Sequence, residues 1–220
     1  MEKQKKFGSC TKNAFGLPNY SFSEELFNSI THGLGIIFAF VAFYILIPKY
    51  KNDFWNLFSV VAYLVTLFVL YTGSTLYHSV SNPKAKSYLR KFDHCSIFLL
   101  IAGTYTPICT VFIKGLAGKI VLGSVWFLAI LGIILNMIDV NKFSKFSLTC
   151  YILMGWSVVF IAKSAFDCLS ASQLWWLLTG GVFYTVGAVL YVLGKKIKYM
   201  HSVWHLFVLA GSVCHFMILV

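Results

Sequence analysis

Seven long apolar runs, separated by short polar segments, dominate the chain. Each run is long enough to cross a bilayer core of about 30 Å as a helix, the fifth only just. Apolar and polar residues do not alternate, and the runs are too long for barrel strands. Because backbone groups inside lipid must be hydrogen-bonded internally, the runs are predicted to be helices. They are Ile30–Ile47, Phe54–Tyr77, Cys95–Ile113, Ile120–Ile138, Ser147–Ala162, Leu174–Leu193 and Val203–Val220.

The segment before the first run is polar and predicts a different structure. Residues 1–20 are expected to form a flexible cytoplasmic N-terminus, and residues 21–220 a single seven-helix membrane domain. Ser21, three residues before Glu24, matches a capping box and predicts a short helix ahead of the first span. Pro107, inside the third run, is expected to kink that helix.

Composition supports a membrane protein. The 220 residues are 59% apolar and 11% charged, whereas soluble domains are about half apolar and about a quarter charged. These values exclude a disordered, collagen-like or disulfide-scaffold chain, and the charges are too few to cover a soluble domain. The six cysteines show no metal-binding spacing and are interpreted as reduced packing residues.

The 18 Lys and Arg against 7 Asp and Glu give a net charge of +11. In a soluble protein this excess would suggest nucleic acid, but here the basic residues lie between apolar runs. They indicate topology and contact with anionic lipids, with membrane lipids as partners and no nucleic acid or soluble protein partner. The N-terminal segment and the even-numbered loops hold 13 of them, and the other side holds 5. This split predicts an all-α, multi-pass cell-membrane protein with a cytoplasmic N-terminus and Val220 outside.

Polar side chains inside or beside membrane spans are costly and point to function. In this chain they come from four different runs and gather at the cytoplasmic leaflet, with no matching set at the outer leaflet. They are Glu25, Asn28 and His32 at the first span, Ser74 and His78 at the second, Asp93 and His94 at the third, and His201 and His205 at the seventh.

The spacing of these residues suggests a zinc site. His201 and His205, four residues apart, share one helix face. With His78 from another helix they would form a three-histidine site with an open position for a water, whose pKa zinc lowers towards about 7. Asp93 would hold that water or act as general base, and Ser74 would hydrogen-bond the water or a developing oxyanion.

Taken one at a time, these residues also have a simpler structural interpretation, which stays open. Histidine pairs at this spacing also occur at membrane interfaces without metal, and Asp93 could instead cap the third span or pair with a neighbouring basic residue. Their convergence on one leaflet favours the metal site. His94, adjacent to Asp93, is expected to point elsewhere. His215 should lie about 15 Å deeper than His205, hydrogen-bonded within the bundle.

Four motifs combine in the chain: Glu25-x2-Asn28-x3-His32, Ser74-x3-His78, the run Phe92–Pro107, and His201-x3-His205 followed by Leu206–Ser212. Together they resemble the bacterial hemolysin III family, which is related to the progestin and adipoQ receptors and more distantly to alkaline ceramidases. The resemblance covers residues 24–220.

The resemblance implies seven helices, an inside N-terminus and a cytoplasmic-side zinc site. The zinc ligands would be His78, His201 and His205, with Ser74 and Asp93 nearby, and no matching position departs from the pattern. Glu25, Asn28 and His32 would support that site. The ceramidase relatives hydrolyse a lipid amide, the receptor relatives signal, and the bacterial members carry a cytolysin name and are linked to membrane-lipid homeostasis.

Three functions follow from these observations. The leading hypothesis is a zinc-dependent hydrolase of a lipid amide or ester, whose substrate enters sideways from the bilayer. The second is a receptor-like sensor of membrane-lipid homeostasis in which zinc is structural. The third is a cytolytic, hemolytic pore. The pore hypothesis is disfavoured because the sequence shows no signal peptide and no spans with a polar stripe for a lumen.

Overall fold

The computed structural model describes residues 16–194 and 196–220, and every regular element in this part of the chain is helical. A π-helical turn continues α3, and a 3-10 segment joins α5 to α6. The prediction of an all-α protein is confirmed. Residues 1–15 of the predicted flexible N-terminus, and Lys195, lie outside the described residues. The helices are α1 Phe22–Tyr50, α2 Phe54–Ser79, α3 Pro83–Pro107, α4 Leu116–Asp139, α5 Ser144–Gly155, α6 Ala162–Cys168, α7 Ala171–Leu193 and α8 Met200–Met217.

Six helical stretches of the described residues are long and apolar enough to cross a membrane. They correspond to the first six apolar runs, so a multi-pass membrane protein is confirmed. The seventh run forms α8, which is 18 residues long and is not among the six because its three histidines and two serines lower its hydropathy. The seven-span count and the orientation therefore stay predictions. The six stretches are Phe22–Tyr50, Phe54–Ser79, Pro83–Phe112, Leu116–Asp139, Ser144–Cys168 and Ala171–Leu193.

The N-terminal cap of α1 is formed as the sequence predicts. The Ser21 hydroxyl accepts from the backbone N–H of Glu24, and the Glu24 carboxylate accepts from the backbone N–H of Ser21 at 2.9 Å. The expectation of a separate short helix is wrong, because α1 runs from Phe22 to Tyr50 without a break. No Pro or Gly lies between the cap and the first apolar run to end the helix.

Two later spans differ from their predicted form. The fifth run was expected to be only just long enough, but the 3-10 segment Trp156–Ile161 links α5 and α6 into one stretch of 25 residues. A 3-10 helix rises more per residue than an α-helix, which lengthens the stretch. At Pro107 the α-helical part of α3 ends, and the chain continues as the π-helical turn Ile108–Phe112. Proline cannot donate the N–H that would bond the Gly103 carbonyl, which disturbs the regular hydrogen bonding around Pro107. The kink expected there stays a prediction.

The helices pack in neighbouring pairs, and α8 closes the bundle by contacting both α7 and α1. Glycine permits the closest approaches. A Cβ at Gly103 of α3 would lie 2.0 Å from the Thr66 hydroxyl on α2, and one at Gly132 of α4 would lie 2.1 Å from the Phe98 ring on α3. Small residues at helix contacts are typical of membrane bundles. This packing brings the start of α1, the end of α2 and the start of α8 together at one end of the bundle.

Candidate metal centre

Three histidines from two helices meet at this end. His78 lies in the last turn of α2, and His201 and His205 lie one helical turn apart at the start of α8. All three are buried, and a ligand atom from each lies within 4.8 Å of the other two. The Nε2 atoms of all three have no hydrogen-bond partner among the described residues. Because buried polar atoms are normally paired, this cluster could hold a metal ion, as the spacing predicts.

The other nitrogen of two of these rings is held by α1. Nδ1 of His78 lies 2.6 Å from the Glu25 carboxylate. Nδ1 of His205 lies 3.2 Å from both the Asn28 carbonyl oxygen and the Thr31 hydroxyl oxygen. The Thr31 hydroxyl donates its own proton to carbonyls of α1, so its oxygen accepts from the ring. Both rings therefore carry a proton on Nδ1, which leaves the Nε2 lone pair for a metal.

Asn28 links all three helices at the centre. Its Oδ1 accepts from the Ser202 hydroxyl of α8 at 2.6 Å. Its Nδ2 packs 3.3 Å from Nδ1 of His78 on α2, a contact without a hydrogen bond because Nδ1 donates its proton to Glu25. Lys86 of α3 extends the arrangement by pairing with the Glu25 carboxylate at 3.0 Å. Glu25 and Asn28 thus both contact the histidine cluster, and their supporting role stays a prediction.

Thr31 is a supporting residue that the sequence analysis missed. It lies three residues after Asn28 and six after Glu25, on the same stripe of α1. The helical spacing that selects Glu25 and Asn28 could have found it, but a threonine in an apolar helix carries little signal alone, since it readily bonds its own backbone.

His32, predicted as a supporting residue, is packed against the cluster. Its ring stacks on that of His205 with centroids 3.7 Å apart and an angle of 14°. It is almost completely buried, and neither of its nitrogens has a hydrogen-bond partner among the described residues. His32 is not one of the three histidines that could hold a metal ion together. It instead contacts His205 and lines the cavity described below.

The two predicted catalytic residues are both buried near the histidines. Asp93 of α3 interacts electrostatically with His205. Ser74 lies one turn before His78 on α2, and its hydroxyl has no partner within the described part of the chain. The expectation that His94 points away is wrong, because its Nδ1 lies 3.5 Å from the Asp93 carboxylate. Adjacent positions near the middle of α3 thus place a carboxylate and a further imidazole together.

The chain before α1 and the turn before α8 cover the centre. The Tyr20 ring stacks on His201, with centroids 5.1 Å apart. Tyr199, immediately before α8, has a φ of 62°, which is uncommon for a residue other than glycine. Its N–H donates to the Glu24 carboxylate at 3.1 Å, and the same side chain accepts from Ser21. The cap of α1 therefore also fixes the turn that carries His201.

A largely apolar cavity starts at His32, whose ring stacks on His205, and runs into the bundle between α3, α5, α7 and α8. The three clustered histidines are not among the residues that line it. At the end nearer the histidine cluster it is lined by His32, Asp93 and His94. Deeper in the bundle its walls are aliphatic and aromatic, and it extends as far as His215. The residues that form most of the apolar wall are Ile97, Leu100, Ile101, Ile108, Ile152, Leu177, Ala188, Trp204 and Val208.

Comparison with known proteins identifies relatives over most of the chain. A family model described as "Haemolysin-III related" matches residues 20–216. The chain is 42% identical over 196 residues to "Hemolysin-3" of Bacillus cereus, covering 88% of this chain and 89% of that protein. It is 37% identical over 199 residues to "Hemolysin-3 homolog" of Bacillus subtilis (strain 168), covering 90% and 93%. It is 27% identical over 237 residues to the "Adiponectin receptor protein" of Drosophila melanogaster, covering 96% and 52%.

Proposed function

This chain belongs to the Haemolysin-III related family, and we propose that it is a zinc-dependent hydrolase of a lipid amide or ester. One observation carries the proposal. Three buried imidazoles leave Nε2 free, and the buried carboxylate of Asp93, which interacts electrostatically with His205, lines the start of an apolar cavity. A metal centre, a proton acceptor and a hydrophobic pocket are the parts that lipid hydrolysis needs.

His78, His201 and His205 would hold the zinc ion through Nε2. Three neutral imidazoles are a ligand set that catalytic zinc uses, with a further position for water or substrate. When bound, zinc would supply Lewis acidity that lowers the pKa of water and polarises a carbonyl group. Glu25, Asn28 and Thr31 would keep the rings in the required tautomer and orientation.

Asp93 and Ser74 would perform the proton transfer and hydrogen bonding of the reaction. Asp93 is buried and lines the cavity, so its carboxylate could accept a proton from the attacking water and return it to the leaving group. The unpartnered Ser74 hydroxyl could donate a hydrogen bond to negative charge that develops on the carbonyl oxygen. Neither side chain is needed as a metal ligand.

The cavity would hold the acyl chain of the substrate. Its walls are almost entirely aliphatic and aromatic beyond Asp93 and His94, so they suit a hydrocarbon chain and not a water-soluble substrate. The substrate would enter sideways from the bilayer, between helices. Acyl-chain burial would then place the ester or amide group at the cytoplasmic end, beside the histidines.

The proposal includes seven spans, with α8 as the seventh and the zinc site on the cytoplasmic side. Two features support it: the distribution of lysine and arginine between the loops, and the packing of α8 against α1 and α7. The buried histidines of α8 face the bundle, where polar groups are tolerated in a membrane.

Cytolysis is a second candidate because the Bacillus cereus relative is called "Hemolysin-3". A water-filled oligomeric lumen would need a polar stripe along a span. The outward faces of α1 and α4 instead expose Ile37, Phe40, Phe127 and Ile134, which suits contact with lipid. These side chains favour the hydrolase over the pore. The remaining alternative, a lipid-homeostasis sensor with structural zinc, would use the same three ligands without turnover.

Two measurements on one purified sample test the hydrolase. Zinc per chain is determined, and release of fatty acid is followed with ceramides, other N-acyl lipids and phospholipid esters presented in nanodiscs. About one zinc per chain and hydrolysis that a chelator removes and zinc restores are expected. Zinc without hydrolysis of any of these lipids would favour the sensor, and lysis that chelation does not affect would favour the pore.

A further inference from the structure

His215 is a buried histidine that the proposed reaction does not use. It lies near the end of α8, ten residues beyond His205, which corresponds to about 15 Å along an α-helix. It is more than nine-tenths buried, yet it lines the deep end of the apolar cavity. Its ring interacts with the Gly211 carbonyl, but its Nδ1 atom forms no hydrogen bond with a described residue. The ring is therefore held within the bundle through Gly211, as expected, while Nδ1 has no partner among the described residues.

The surroundings hold this imidazole in a defined place. The Tyr184 ring stacks on it, with centroids 5.2 Å apart and an angle of 24°. On α7 a Cβ at Gly180 would lie 2.8 Å from Cε1 of His215, so only glycine leaves room for the ring. Tyr184 also lines the cavity, and its hydroxyl lies 2.9 Å from that of Ser212. The deep end of a hydrocarbon pocket thus contains a fixed imidazole and a phenol.

A plain hydrocarbon chain cannot form a hydrogen bond with a polar group at this depth, so such a group would not strengthen its binding. An unpaired polar atom in an apolar environment carries a desolvation cost that a ligand oxygen would relieve. An extended alkyl chain advances about 1.25 Å per carbon, given bonds of about 1.5 Å and angles of about 111°. The separation of about 15 Å between His205 and His215 therefore corresponds to about twelve carbons.

We propose that His215 and Tyr184 form a recognition point for an oxygen atom in the middle of an acyl chain, and that the preferred ligands are hydroxylated fatty acyl groups. The inference rests on the proposed function, which places the acyl head group at the three histidines. The His215 imidazole would form a hydrogen bond with the hydroxyl group of the acyl chain. The Tyr184 phenol would be the second polar group beside that hydroxyl.

Ricinoleic and oleic acids are suitable probes because they differ only by a hydroxyl on the twelfth carbon. Each unlabelled acid is used to displace radiolabelled oleic acid from the full-length protein in nanodiscs. For wild type, ricinoleic acid should compete at an about tenfold lower concentration than oleic acid, the usual effect of one hydrogen bond to an otherwise unpaired buried group. His215→Phe, which keeps a ring but no nitrogen, should make the two acids equal.

Gly180→Ala provides a second variant that keeps the histidine but displaces its ring. It should reduce the preference for ricinoleic acid. Gly123→Ala is its matched control, because a Cβ at this exposed position of α4 meets nothing within 4 Å, and it should keep the preference. Equal competition by the two acids in wild type, or a preference that survives in both His215→Phe and Gly180→Ala, would overturn the proposal.

The outcome also separates this inference from the hydrolase. Asp93→Asn should keep the preference for ricinoleic acid while losing turnover, because Asp93 lies at the other end of the cavity. A preference in a protein that hydrolyses nothing would support the recognition point and contradict the hydrolase. If oleic acid does not bind at all, the acyl-chain assignment of the cavity and the recognition point both fail.

Discussion

The carboxylate of Glu25 lies 2.6 Å from Nδ1 of His78, across the contact between α1 and α2. The contact fixes which nitrogen of the imidazole carries the proton and leaves Nε2 directed at the other two histidines. Carboxylate–histidine pairs of this kind increase the basicity of a metal ligand and hold its ring in place. The relationship makes α1, which supplies no atom of the three-histidine cluster, a part of the candidate metal centre.

Removing the Glu25 carboxylate should therefore weaken metal binding without removing a ligand. Glu25→Gln is expected to lower zinc affinity about 10- to 100-fold, the usual effect of losing such a partner. Competition with a calibrated zinc chelator measures the affinity. Asp167→Asn is the control, because it makes the same acid-to-amide change at an exposed aspartate near the end of α6, outside the cluster. Equal affinity in wild type and Glu25→Gln would show that this contact does not tune the site.

Loss of a ligand should have a larger effect. His201→Ala and His205→Ala each leave two imidazoles, which do not complete a zinc site, so each variant should purify with almost no zinc. Elemental analysis of the purified proteins measures this directly. His215→Ala removes a buried histidine of the same helix that lies outside the cluster and should keep about one zinc per chain. Full zinc content in His201→Ala or His205→Ala would mean that the ligand assignment is wrong.

Cys168 allows the proposed orientation to be tested. It is exposed at the end of α6, whereas Cys95, Cys109, Cys150 and Cys214 are buried. Seven spans with a cytoplasmic N-terminus place the turn after α6 outside the cell. With Cys10 of the N-terminal segment replaced by Ser, a membrane-impermeant maleimide should therefore label the protein on intact cells and fail to label it once Cys168→Ser is added. Labelling only after the cells are broken would reverse the orientation or change the number of spans.

Close helix packing predicts that two Gly→Ala substitutions lower the stability of the protein by different amounts. Gly103→Ala would bring a methyl group to 2.0 Å from the Thr66 hydroxyl, and forced overpacking costs about 1–3 kcal/mol. A lower unfolding temperature in detergent is expected. Gly123→Ala adds the same group where nothing lies within 4 Å and should leave that temperature almost unchanged. Equal stability of the two variants would show that the contact between α2 and α3 can relax.

Sequence patterns predicted much of the fold because the membrane restricts it strongly. Apolar runs located six spans, and the Ser21 capping box located the start of α1. The pattern did not show that α1 is one continuous helix, because the polar residues before Ile30 look like a break. It also did not show the 3-10 segment Trp156–Ile161, since backbone geometry inside an apolar run leaves no mark on hydropathy.

The candidate site was predictable where spacing along one helix defines it. His201 and His205 share a face by their separation of four residues, and His78 joined them because it reaches the same leaflet. Relations between helices were harder to predict. The stacking of His32 on His205 and the approach of His94 to Asp93 depend on how α1, α3 and α8 pack, which no single-helix spacing describes. The position of His215 at the end of a cavity is of the same kind.

The most direct test of the account compares wild type with Asp93→Asn for zinc content and lipid hydrolysis on the same preparations. Asp93→Asn keeps the side-chain shape but removes the proton acceptor. Turnover should therefore fall about 10²- to 10⁴-fold, while zinc stays near the wild-type value. Asp167→Asn, an exposed aspartate near the end of α6, should leave both values unchanged. Unchanged turnover in Asp93→Asn, or a wild type that binds zinc yet hydrolyses no lipid amide or ester, would contradict the hydrolase.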